Sequence, residues 1–327
     1  GLNAPLQTYT LAFGAPGFPV FPSSLSAPPS VANSAPRTID LRSDTLLNPY
    51  TSQFTFGIQQ QFPHDWILTA DVIHSQTVKL IQAYDLNRPV AFIRTAPGRV
   101  RSVAEADSTR PFSTFMGIPV RQVQVTGNGG TGVYDALDVG LSRRFNGRYQ
   151  LGANYVYSSA LNNVTDDHLG ANPNDWNDVG LGERGPSDFH QRHRFVAHGT
   201  VLLPFRSEFS LIATLASGLP VNPVTGIDNN GDTTNIDRPA GYSRNSFRAP
   251  GQTSFDVAYT KTQPLSESIR LELRADVFNF FNNSNFYRLN NVYGNGMAPL
   301  PTFMQPLAGI ANVDPGRQFQ FAAKLVF

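Results

Sequence analysis

The chain has 327 residues and balances 25 Lys and Arg against 24 Asp and Glu, which leaves no basic surplus for nucleic acid and no acidic tail. Charged residues make up 15% of it, below the roughly 25% usual for soluble proteins, and Asn, Gln, Ser, Thr, Gly, Pro and aromatic residues fill the difference. Cysteine is absent, which removes disulfides, thiolate chemistry and the usual zinc sites, and no run of about 18 apolar residues offers a transmembrane helix.

Residues 1–49 are rich in Pro, Ser and Ala, as in Phe18-Pro19-Val20-Phe21-Pro22. They read as a loop segment with one short strand candidate at Gln7–Phe13. The opening Gly1-Leu2-Asn3-Ala4-Pro5 reads as the middle of something, so an export signal is expected upstream.

From Thr51 the hydrophobicity alternates with period 2, the mark of a strand with two unlike faces. Phe54, Phe56 and Ile58 alternate with Gln53, Thr55, Gly57 and Gln59; Trp66, Leu68, Ala70 and Val72 alternate with Thr69 and Asp71. Leu137, Val139 and Leu141 face away from Asp138, Gly140 and Ser142, and Tyr149, Leu151, Ala153, Tyr155 and Tyr157 away from Gln150, Gly152, Asn154 and Ser158. Further strands are predicted near 193–204, 207–217, 252–263, 268–280 and 317–327. The sharpest alternation sets Ile269, Leu271, Leu273, Ala275 and Val277 against Arg270, Glu272, Arg274 and Asp276. These lengths suit a tilted strand crossing a bilayer.

The connections separate a membrane barrel from a soluble sandwich. Short links at Pro63–Asp65, Asn146-Gly147, Arg206-Ser207 and Pro264–Ser268 alternate with long ones at 78–132, 161–190, 218–251 and 281–316. Outer-membrane barrels have this anatomy, with short periplasmic turns and long external loops, whereas loops above about 15 residues are uncommon in compact soluble domains. The expected fold is all-β: the C-terminal portion of an antiparallel transmembrane β-barrel, with about nine or ten strands in residues 50–327 and residues 1–49 as an extracellular segment. Phe327 would end the last strand in the periplasm. Nine strands leave the first and last parallel, while single-chain bacterial barrels close antiparallel with an even count, so either partner strands lie elsewhere or the segment near 6–13 supplies a tenth.

Four features invite a chemical reading. Gly127-Asn128-Gly129-Gly130-Thr131-Gly132 fits G-x-G-x-x-G, but a strand–turn–strand pattern follows instead of the helix that a dinucleotide needs; a flexible loop ending is expected. Asp228, Asn230, Asp232 and Asp237 offer oxygens at close spacing, either for a structural calcium or as an Asx-rich turn. Thr233 stands where an EF-hand has Gly, and Pro239 where it has Glu. His190, His193 and His198 lack the H-E-x-x-H spacing of a zinc enzyme and read as rim and lumen residues. Arg270, Glu272, Arg274 and Asp276 would face the lumen, as a cross-strand charge ladder or as substrate contacts. Trp66, Tyr149 and Tyr157 suit an interfacial girdle. Neither a nucleophile elbow nor a Walker A sequence is present, so no enzymatic activity and no further cofactor is expected.

The last strand, Arg317–Phe327, alternates and ends in an aromatic residue, as in the terminal signal through which the barrel assembly machinery recognises its clients. Asn48-Pro49-Tyr50-Thr51-Ser52-Gln53-Phe54, Tyr134-Asp135-Ala136-Leu137, Asp188-Phe189-His190-Gln191-Arg192-His193-Arg194-Phe195 and Leu273-Arg274-Ala275-Asp276-Val277-Phe278-Asn279-Phe280-Phe281-Asn282 occur in that order. Together they resemble the C-terminal half of Oar-like TonB-dependent receptors, whose N-terminus often carries a carboxypeptidase-regulatory-like domain. The resemblance implies a barrel of about 22 strands with a plug, an outer-membrane location, contact with membrane lipid, energy from TonB through an N-terminal box outside this sequence, and import of a ligand. A secreted or surface β-sandwich adhesin and a passive porin are the alternatives.

Overall fold

The computed structural model describes residues 37–92, 96–164, 183–286, 288–307 and 315–327. Nine long strands form one continuous antiparallel path: β2 (Tyr50–Phe62), β3 (Trp66–Asp85), β5 (Ile118–Arg143), β6 (Tyr149–Asn162), β8 (His193–Leu203), β9 (Ser207–Ala216), β12 (Gln252–Pro264), β13 (Arg270–Phe278) and β14 (Gln318–Val326). Each predicted strand from Thr51 onward is present. The Gln7–Phe13 candidate lies outside the described residues.

Register carries the alternation from strand to strand. One row runs Phe62, Trp66, Arg143, Leu151, Gly199, Leu211, Val257, Val277, Phe319. Residues two positions along each strand share that face, so Phe54, Phe56, Val72, Leu137, Tyr155, Phe195, Tyr259, Leu273 and Phe321 lie on it too. These side chains stand in the open: Phe54 is 63% and Phe321 76% exposed. The opposite face carries Gln53, Thr55, Asp71, Asp138, Asn154, His198, Thr200, Ser210, Asp256 and Thr260, interrupted by a few apolar groups such as Ile73 and Ile212. A soluble sheet would bury its apolar face against a second layer. Among the described residues, the buried apolar cluster is instead a small one beyond the wall, around Ile39, Val120 and Val123. The result is an all-β transmembrane wall with apolar groups toward lipid.

The short connections are tight. Pro63–Asp65 turns with His64 and Asp65 at φ 64° and 61°, and Phe205 and Arg206 turn with φ 62° and 58°. Left-handed backbone at a bulky residue costs about 1–2 kcal/mol, a strain held in these three-residue links, which the pairs Phe62–Trp66 and Leu203–Ser207 close. The Asn146-Gly147 turn is longer than the sequence suggests. It occupies residues 144–148, with Gly147 at φ 87° and Asn146 Oδ1 accepting from the amides of Arg148 and Tyr149 at 3.1 and 3.0 Å.

The predicted loop 78–132 is largely strand. β3 has 20 residues and β5 has 26, against the roughly 9–11 that cross a bilayer, so the pair continues about 10 residues or more past the membrane as a ribbon. Gly127–Gly132, expected at a loop ending, sits inside β5. Cβ atoms on Gly130 would come within 2.5 Å of Val164 Cγ1 and 2.6 Å of Leu80 Cβ, so glycine allows close approach where the register shifts at Leu80. Lys79, at φ 59°, is the extra residue there. Residues 1–49 are not loop throughout either: β1 (Arg37–Arg42) pairs in parallel with the outer part of β5.

Candidate functional site

The long-connection end of the sheet carries a crown of loops docked on one another. Between β3 and β5, helix α1 (Val103–Asp107) begins with a capping box: Ser102 Oγ accepts from the Glu105 amide and Glu105 Oε2 accepts from the Ser102 amide. The Ser102 amide and then its hydroxyl, both donating to Oε2, hold the exposed Glu105 carboxyl below the usual range. Beside the helix, the short strand β4 (Thr114–Phe115) pairs back onto the start of β5. Buried Ala106 packs where Gly231, at φ 76°, brings its backbone close; a Cβ on Gly231 would meet Ala106 Cβ at 2.8 Å. Arg101 fastens the same contact, its backbone amide donating to Asn229 O at 2.8 Å and its Nε to Asn230 O at 2.7 Å. Burial, and then the charge of Arg110, lowers its proton affinity.

Asp228, Asn230, Asp232 and Asp237 therefore form the seat of α1. Asp228 Oδ1 accepts from Gly231 and Asp232 and its Oδ2 from Thr233, Asp232 Oδ1 accepts from Thr234, and Asp237 Oδ2 accepts from Asn229 and Asn230. Asn230, Asp232 and Asp237 are almost fully buried. Backbone amides thus occupy carboxylate oxygens that a cation would use. Among the described residues, no three His, Cys, Asp or Glu side chains gather as a metal site.

A second buried network joins Arg110 to Asp85 at 3.1 Å and to Asp107 at 2.9 Å, with Arg121 also reaching Asp107. The Arg110 and Asp85 side chains are 2% and 1% exposed. Asp85 also accepts from the amides of Asn87 and Val123, so the end of β3 is locked onto β5. On the other side, β7 (Gly185–Pro186) adds to β6, while fully buried Arg244 reaches Asn162 Oδ1 at 2.6 Å and Asp188 at 3.5 Å. The pair β10 (Pro220–Val221) and β11 (Phe247–Arg248) leads to an aromatic cluster of Tyr242, Phe247, Tyr293 and Phe303 with centroid separations of 4.9–6.0 Å. Tyr242 and Tyr293 share a hydroxyl contact of 3.1 Å, which raises the Tyr293 pKa.

Arg270, Glu272, Arg274 and Asp276 all lie on the polar face. Arg274 clamps Asp276 along its own strand, with Nε and Nη2 within 3.0 Å of the carboxylate, and Glu272 faces Lys324 across β13 and β14 at 3.8 Å. The three histidines separate. His190 is buried in the crown, its Nδ1 bonded to Ala160 O at 3.1 Å. His193 is on the apolar face, bonded to the Tyr155 hydroxyl at 2.7 Å, and His198 is on the polar face, its ring covering Gly152. Trp66 and Tyr149 stand at the short-turn end of the apolar face, and Tyr157 toward its long-loop end.

Sequence reasoning did not find the acidic step on the polar face. Asp71 pairs directly with Asp138, and Asn154 Nδ2 donates to Asp138 at 2.6 Å. Like charges in a direct cross-strand pair oppose one another. Their partnership depends on the β3–β5 register, which the long connection between these strands leaves unset in the sequence.

The family model for the outer membrane beta barrel domain matches residues 2–243 and 240–320. No curated protein matches the sequence. Among solved structures, the chain is similar to the outer membrane transporter YddB from Escherichia coli, at 13% identity and a TM-score of 0.52, with 90% of this chain and 34% of that one covered. It is also similar to a mutant of the ferric enterobactin receptor PfeA from Pseudomonas aeruginosa, at 14% identity and a TM-score of 0.50, with 88% and 32% covered. The chain thus spans about a third of the length of these structures. The unlike faces shared across nine strands and the family match lead to one conclusion: the chain belongs to the outer membrane beta barrel domain family and is part of an outer-membrane β-barrel.

Proposed function

We propose that this wall and crown belong to a TonB-dependent importer of the Oar-like kind, with transport rather than catalysis as its role. The observation that carries the reading is the sheet's incomplete arc. Its edge strands β2 and β14 run in the same direction, so antiparallel closure takes an odd number of further strands. Every even-stranded barrel supplies that parity, and the likeness of fold to YddB favours the one of about 22 strands, the size of plugged outer-membrane transporters. In this reading Arg270, Glu272, Arg274 and Asp276 line the lumen beside the plug, the crown captures the ligand, and Phe327 marks the strand for barrel assembly. The test compares medium depletion by cells lacking this protein with depletion by cells lacking TonB. The expected outcome is that the same compounds stay in the medium in both. Uptake through the protein that continues without TonB would establish a passive pore instead.

For the turn at Asp228–Asp237 we favour the Asx-turn role over structural calcium, because amides already occupy its carboxylates. Adding or chelating calcium then leaves the amide hydrogen exchange of residues 228–237 and of α1 unchanged; slower exchange with calcium would restore the cation reading.

A further inference from the structure

The apolar face is not evenly bulky. On neighbouring strands β6 and β8, Ala153, Ala197 and Gly199 form the floor of a groove of about 430 Å³, walled by Trp66 and Leu141 on one side and by Phe209 and Leu211 on the other. Leu151 leans across Gly199, where a Cβ would stand 2.7 Å from its Cδ2, so a larger residue would close the groove. The short-turn end of the groove carries a cation. Arg143 pairs in register with Trp66 and Leu151. Its guanidinium lies 4.3 Å from the Tyr149 ring and 5.7 Å from that of Trp66, and its Nε donates to His64 O at 2.9 Å. No carboxylate pairs with it among the described residues.

The arrangement recurs on the same face. A second groove of about 470 Å³ has Ala275 and Ala323 between Tyr259, Leu273 and Phe321, with Lys261 on its lining. Lys261 donates to Phe205 O and lies 5.8 Å from the Phe205 ring, at the same short-turn end. At the long-loop end of this face, Asp135 is matched by His74 at 2.7 Å and Lys79 lies 5.2 Å from the Tyr50 ring, with no groove beside it among those described.

A lipid-facing cation without a counter-ion, held on aromatic plates beside an apolar groove, has a chemical complement in an anionic phospholipid. We propose that the groove over Gly199 seats an acyl chain of an anionic phospholipid, with Arg143 holding its phosphate, and that the Lys261 groove repeats the arrangement. Short turns are periplasmic in this class of barrel, so the lipid comes from the inner leaflet. The proposal rests on the membrane placement of the wall and is independent of what the barrel carries.

The test uses the full-length protein in mild detergent, incubated with phosphatidylglycerol or phosphatidylcholine of identical chains and weighed by native mass spectrometry. Phosphatidylglycerol should be retained over phosphatidylcholine by about fivefold, the scale of one basic residue at an anionic surface. Arg143→Gln should lower that preference, and Arg143→Gln combined with Lys261→Gln should abolish it. Ala197→Leu, which fills the groove and leaves the cation in place, should lower retention of both lipids. Heat-modifiable migration on gels establishes that each variant is folded, and the difference from wild type isolates this groove from lipid bound elsewhere. The proposal is overturned if wild type shows no preference, if Arg143→Gln leaves it at the wild-type value, or if Ala197→Leu retains lipid as wild type does.

Discussion

His190 lies just before β8 with 2% of its surface exposed. Burial pushes its pKa below the ordinary histidine value, the charges of Arg248 and Arg192 add to that, and the hydrogen bond to Ala160 O opposes it. Its Nε2 has no partner among the described residues, so the fold holds a neutral imidazole with Nδ1 as the donor. A histidine with a depressed folded pKa contributes fully above its unfolded value of about 6.5, and that contribution is lost as pH falls through the folded pKa. Amide exchange in residues 183–192, corrected for intrinsic rates, should therefore accelerate below about pH 6.5. His190→Phe should flatten that dependence; a profile with the same slope in the variant would assign it to another group. The three histidines show how far residue types can be read from a sequence. Their spacing argued against a zinc enzyme, but which one would be buried depended on crown packing between segments far apart in the chain.

The β3–β5 ribbon shows what periodicity misses at the level of an element. Alternation located the membrane portions of both strands, because lipid on one side and polar groups on the other enforce period 2. Beyond the membrane that constraint ends. The ribbon is held by Asp85–Arg110, the Ile39–Val123 cluster and glycine contacts, and its alternation is confined to a short stretch around Val123 and Val125, so residues 78–132 looked like a long connection. Gly130→Ala tests the close approach. Its methyl group would collide with Val164 and Leu80, at a cost typical of overpacking, about 1–3 kcal/mol. The expected result is faster exchange and proteolysis in residues 78–85 and 118–131, with unchanged unfolding of the membrane wall. Coordinate loss of both would mean that ribbon and wall form one cooperative unit.

For the molecule as a whole, adjacent positions on β9 separate the two surroundings. Leu211 lies on the apolar face and Ser210, which bonds to Thr200 Oγ1 at 2.9 Å, on the polar one. Leu211→Arg should cost about 2–4 kcal/mol in reversible unfolding from vesicles, as for a cation near the bilayer midplane. Ser210→Arg should cost less than Leu211→Arg, because the half-buried Ser210 lies on the polar face, where a cation stays out of lipid. Equal costs would contradict the assignment of faces. This architecture was the most legible part of the sequence, since one physical contrast repeats along nine strands and sorts the connections by length. The crown was the least legible, because its geometry comes from long-range buried networks such as Arg244 with Asn162.

The like-directed edges also bear on how such a wall can exist in a bilayer. Along β2 and β14, alternate amides and carbonyls point away from the sheet, and in hydrocarbon each unpaired group costs several kcal/mol. A second copy related by rotation about the membrane normal would set β2 of one against β14 of the other in parallel. Self-association of this sheet therefore makes a parallel seam, and an antiparallel one takes strands other than those described.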